Sequence, residues 1–108
     1  YDNVKEVIKD VSPDLLAVET IFSHHRQVAT AIIMGHTRGV ILLAGEQESL
    51  PLIELTPAEI KKSVTGNGRA SKEQIQHAVT NILRLTEIPE PPDVADALAI
   101  AITAAMRN

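Results

Sequence analysis

Three carboxylates are set apart by their neighbours. Glu19 closes a short apolar run at 15–18, and Asp93 and Asp96 lie three positions apart in the otherwise apolar stretch DVADAL. Open α/β sheets place functional groups at strand ends, where the backbone is fixed and the side chain meets solvent. A solvated acid at the start of a loop accounts for Glu19 equally well. Asp93 and Asp96 share one face of the first turn of a helix, beside the positive end of its dipole, and capping alone explains acids there. Yet two like charges on an apolar helix repel unless a cation lies between them. With Glu19 they form an oxygen-only donor set suited to Mg²⁺, which takes carboxylate oxygens and keeps waters for substrate phosphates. Two such ions can stabilise both oxygens of a phosphodiester displacement.

The cations point the same way. Lys61, Lys62, Arg69 and Lys72 occur between 61 and 72 with no acidic residue among them, and Gly66 and Gly68 let the backbone approach an anion closely. Phosphate binding and a solvated helix face with its turn both fit this patch. Phe22, three residues beyond Glu19, is either a core plug or a wedge between bases. His24 and His25 are adjacent, so on a helix they point about 100° apart and do not share one metal. His36 and His77 are isolated, which disfavours zinc. No nucleophile elbow, phosphate loop or dinucleotide fingerprint is present.

The chain that must position these residues has 108 of them, which predicts one domain over 1–108. It is 44% apolar but has only Tyr1 and Phe22 as aromatics, so the core is aliphatic and stacking platforms are scarce. The absence of cysteine removes disulfides and thiolate chemistry and makes a reducing cytoplasm the natural compartment. A net charge of −4 argues against broad, nonspecific attraction to nucleic acid, so the clustering of the cations decides. The first residues do not form a signal peptide, and no apolar run of about 18 residues spans a membrane.

Val4, Val7 and Ile8 mark a first helix that Ser12 and Pro13 close, and the run at 15–18 predicts a strand covered on both faces. From His24 to about Glu48 the apolar residues recur at helical spacing without proline, giving a helix of roughly 35 Å. Its turn at 40–44 is apolar all round, which predicts burial or packing against another subunit. A second strand is expected at 51–55, and the strand, helix, strand order implies parallel pairing by a right-handed crossover. Thr56 and Ser71 each open a capping box for a following helix, the second with Ile75, Val79, Ile82 and Leu83 inward. Pro89, Pro91 and Pro92 predict an extended linker before a last helix from near Asp93, carrying Val94, Leu98, Ile100, Ala101 and Ile102. Two parallel strands leave open edges, so further strands before Tyr1 or from a partner chain are expected.

Four segments, DLLAVETIF, GHTRGV, TPAEIKKSVTGNGRASKEQIQ and PDVADALAIAI, together resemble the RuvC family of bacterial Holliday-junction resolvases in order and spacing. The resemblance implies an α/β, RNase H-like fold lacking its N-terminal strands, with parallel strands flanked by helices. It implies a homodimer that cuts two symmetrical strands of four-way DNA with Mg²⁺, Mn²⁺ substituting, and that works with branch-migration motor proteins. On it, Glu19, Asp93 and Asp96 match catalytic, metal-binding acids. Lys61 and Lys72 match lysines near the scissile phosphate, and Phe22 matches the aromatic that stacks at the junction; from the basic patch, Arg69 is a further expected DNA contact. The family's opening strand, with its first catalytic Asp, has no counterpart here, so this chain alone is expected to bind Mg²⁺ poorly and cut weakly or not at all. His36 and Thr37 stand where the family usually has Gln and Ala, and His25 lies near a usual Asn. A noncatalytic DNA-binding or dimerisation module, and a related nuclease acting on RNA, are the alternatives.

Overall fold

The computed structural model describes residues 2–20 and 28–107, and side chains at 2–20 and 36–107. Its elements, in order, are α1 (Asp2–Val11), β1 (Leu16–Glu19), α2 (Val28–Gln47), β2 (Leu52–Leu55), α3 (Pro57–Thr65), α4 (Lys72–Leu83) and α5 (Pro92–Arg107). Among the described residues, the five helices and two strands fall where hydrophobic spacing and caps predict them, with ends displaced by a residue or a few. The expected start of the long helix at His24 lies outside the described residues, as does His25. The β1 and β2 strands are hydrogen-bonded neighbours. Leu16 N–H donates to the Pro51 carbonyl at 2.8 Å and Thr20 N–H to the Leu55 carbonyl at 2.8 Å, so both strands advance together and the pair is parallel.

Contacts divide the chain into two compact units, Tyr1–Leu16 with Ile21–Ile53 and Ala17–Thr20 with Glu54–Asn108. In the first, α1 packs against α2. Ile8 is buried on α1, and Ser12, in the left-handed region at φ 51°, ends the helix with its N–H on the Ile8 carbonyl at 2.9 Å. Ala44 and Gly45 are buried on α2. A Cβ at Gly45 would lie 2.7 Å from Leu16 Cδ2, so glycine permits this approach of helix to strand. The apolar turn at 40–44 is only partly buried: Ala44 is covered, whereas Val40 and Leu43 are 36% and 50% exposed.

In the second unit α3, α4 and α5 pack on one another around Leu55, Ile60, Val64, Ile75 and Val79. Both predicted capping boxes form. Glu59 N–H donates to Thr56 Oγ1 and Thr56 N–H to Glu59 Oε2, each at 3.2 Å, and Ser71 and Gln74 exchange the equivalent bonds at 2.8 and 3.1 Å. Gly66 ends α3 at φ 81°, a left-handed conformation in which a side chain is strained.

Two expectations are corrected here, the place of Pro92 and the inward face of α4, and the buried face of α5 is a further finding. Pro92 belongs to α5 rather than to the linker, occupying the first helical position where its missing N–H costs nothing. The buried stripe of α5 is Ala95, Ala99, Thr103 and Ala104, while Val94 is 42% exposed. Small side chains let α3 and α4 approach closely, and the Thr103 hydroxyl satisfies itself on the Ala99 carbonyl at 2.8 Å. Ile82 and Leu83 are 47% and 41% exposed, because α4 ends at Leu83 and Arg84 turns the chain away in the left-handed region.

Candidate metal and phosphate site

Each element of the second unit buries a stripe and carries a charged residue at its edge. On α3, Ile60 and Val64 go inward and Lys61 follows Ile60; on α4, Ile75 and Val79 go inward and Lys72 lies one turn earlier. On α5, Ala95 and Ala99 go inward and Asp96 follows Ala95. Glu19 is the last residue of β1. These four side chains line one cavity of about 210 Å³, floored by Ile60, Ile75 and Ala99. Two carboxylates and two lysines thus converge over an apolar base.

The charges are coupled. Partial burial is the main reason that the Glu19 carboxyl is raised above the usual carboxylate range; the negative Asp96 adds to the rise and Lys61 opposes it. A Glu19 carboxylate that burial and the nearby Asp96 disfavour is stabilised by a cation, and an oxygen-only donor pair suits a hard one. Among the described residues no three His, Cys, Asp or Glu are gathered closely enough to hold an ion. Magnesium needs only one or two carboxylates when substrate phosphates complete its shell, so the pair fits.

The other expected residues are distributed differently. Asp93 is exposed in the first turn of α5, one turn before Asp96, and is not part of the cavity wall. It does not cap the helix, which begins a residue before it. Arg69 is exposed on the turn after α3, its N–H bonded to Asn67 Oδ1 at 2.9 Å, and lies off the wall. Lys62 is exposed on α3. Phe22 lies outside the described residues. Sequence reasoning passed over Thr20, whose hydroxyl is buried beside Glu19 without a hydrogen-bond partner; a polar residue continuing an apolar strand was the available signal.

Fold and site together define an α/β protein of the RNase H-like class, with parallel strands, flanking helices and a strand-end carboxylate facing a helical one. Residues 1–104 match the family model for crossover junction endodeoxyribonuclease RuvC, and the chain belongs to that family. Among similar proteins, crossover junction endodeoxyribonuclease RuvC of Desulforamulus reducens is 49% identical over 94% of this chain and 62% of its own length. Its namesake in Desulfitobacterium hafniense is 50% identical over 94% of this chain and 61% of its own length. The structure of Thermus thermophilus RuvC in complex with a Holliday junction substrate superposes with a TM-score of 0.90 at 37% identity, covering 98% of this chain and 64% of that one. A second Thermus thermophilus RuvC structure gives 0.81 at 35% identity, covering 96% and 62%. The chain therefore spans about three-fifths of the relatives it matches.

Proposed function

We propose that this chain carries the metal and phosphate site of a Mg²⁺-dependent, structure-selective endonuclease that resolves four-way DNA junctions in recombination and repair. The convergence of Glu19, Asp96, Lys61 and Lys72 in one cavity carries the reading. Glu19 and Asp96 would hold the metal, with Asp93, one turn before Asp96 on α5, as the third acid. Mg²⁺, when bound, supplies charge neutralisation at the scissile phosphate and acidity to an attacking water. Lys61 and Lys72 hold phosphate oxygens and offset the negative charge that grows there in the transition state. The apolar floor of Ile60, Ile75 and Ala99 limits water around these charges and strengthens each interaction. Phe22 stacks at the junction, and Arg69 follows the backbone outside the cavity. The protein acts as a homodimer, which presents two such sites to opposite strands, and Mn²⁺ substitutes for Mg²⁺.

A labelled four-way junction and a linear duplex of the same sequence, compared by gel in Mg²⁺ and in chelator, test this reading. Junction-selective retardation is expected, with any nicking symmetrical, Mg²⁺-dependent and lost in Glu19→Gln. Equal binding of junction and duplex would sink it and leave a dimerisation module; preferential cutting of RNA would replace the substrate class.

A further inference from the structure

The first turn of α5 carries Asp93, yet packing does little to hold that turn. Residues 81–94 are all exposed except the half-buried Pro89, and burial on α5 begins only at Ala95. Within the turn, Val94 N–H donates to the Pro91 carbonyl at 2.9 Å. The leading N–H groups of a helix have no partner inside it, so such an end frays unless something outside fixes it. Among the described residues, the Asp93 carboxylate makes no hydrogen bond or ion pair that would aim it.

One side chain supplies an outside hold. Gln76 Nε2 donates to the Pro89 carbonyl at 3.3 Å in a part-buried bond, which ties the chain before α5 back onto α4. Among the described residues it is the only hydrogen bond made by residues 86–90. The tie nearest to it, from Leu85 N–H to the Thr80 carbonyl at 2.9 Å, only turns the chain off the end of α4. Gln76 stands on the face of α4 that carries Lys72 four positions earlier, and Thr80 follows four later with its hydroxyl on the Gln76 carbonyl at 2.6 Å. The flanking Ile75 and Val79 are buried, which fixes the backbone beneath the amide. Pro89 lies four positions before Asp93, and two of the residues between them, Pro91 and Pro92, have φ set by their rings. The place of the Pro89 carbonyl is therefore passed to Asp93 with little slack.

We propose that Gln76 is a positioning residue for the third acid: by holding the Pro89 carbonyl it fixes the first turn of α5, and so the reach of Asp93 toward a metal held by Glu19 and Asp96. The inference rests on the proposed metal site and deepens it. Its test reads metal binding rather than cleavage. Mn²⁺ affinity and location are both taken from paramagnetic broadening in NMR titrations of the parent chain, Gln76→Met, Asp93→Asn and the double variant. Methionine keeps the length and helix propensity of glutamine and removes the donor, so α4 is expected to fold unchanged. Gln76→Met should weaken Mn²⁺ binding by roughly 10-fold and abolish broadening at Asp93, while that at Glu19 and Asp96 persists at higher Mn²⁺. Asp93→Asn should weaken binding at least as much. Adding Gln76→Met to it should change nothing further, because the amide acts through that acid alone, whereas a general loosening of the fold would add its own loss. Full affinity in Gln76→Met, or an equal loss in the Asp93→Asn background, would overturn this inference alone. A parent chain showing no broadening at Glu19 and Asp96 would overturn the metal-site reading as well.

Discussion

Folding moves Glu19 into a place where its negative charge is disfavoured, chiefly through burial and then through Asp96. A carboxyl raised in this way binds its proton more tightly folded than unfolded. Its contribution therefore favours folding at low pH and is lost as pH rises from the ordinary carboxylate range through the raised folded value. At neutral pH without metal, Glu19→Gln is expected to be more stable than the parent, the gain vanishing below the ordinary carboxylate range. Denaturant titrations at acid and neutral pH in chelator check this, and a less stable variant at neutral pH would contradict it. Metal competes with the proton, so Mg²⁺ affinity should fall as pH drops through the raised Glu19 value. On the proposed function, Lys72 would act as a point charge on phosphate. Lys72→Ala should weaken binding of all junctions alike and lower the slope of log affinity against log salt by about 1, measurable by fluorescence anisotropy.

At the scale of elements, the site depends on how α3, α4 and α5 begin. Thr56 starts α3 immediately after β2 and so fixes where Lys61 falls one turn later. Thr56→Ala should cost about 1 kcal/mol, and Gly66→Ala, at a positive φ, about 1 to 2 kcal/mol, both read as shifts in denaturation midpoint. These starts were legible in the sequence because caps and breakers act locally: the Thr56 and Ser71 boxes form as their residues predict. Glu19 and Asp96 were also legible, as charges at the edges of apolar segments. The face of α5 was not. An almost wholly apolar helix offers its periodicity no contrast, and the alanine stripe is chosen by the close approach of α3 and α4. Nor could spacing separate Asp96, on the cavity wall, from Asp93 outside it.

For the whole molecule, family membership and the spared apolar residues of α2 bear on assembly. Val40 and Leu43 remain exposed on α2 beside the buried Ala44, as a surface used by a second copy would. Leu43→Glu is expected to shift a dimer to monomer in sedimentation while leaving the helical signal in circular dichroism intact; an unchanged oligomer would place the interface elsewhere. On the proposed function the divalent metal, the junction phosphates and the lysines would meet at the Glu19 and Asp96 cavity. Paramagnetic broadening by Mn²⁺ tests that most directly, because it locates even a weakly bound ion. Broadening centred on Glu19 and Asp96, relieved by excess Mg²⁺ and lost in Glu19→Gln, is the result predicted. Broadening centred elsewhere, or unchanged by Glu19→Gln, would contradict it.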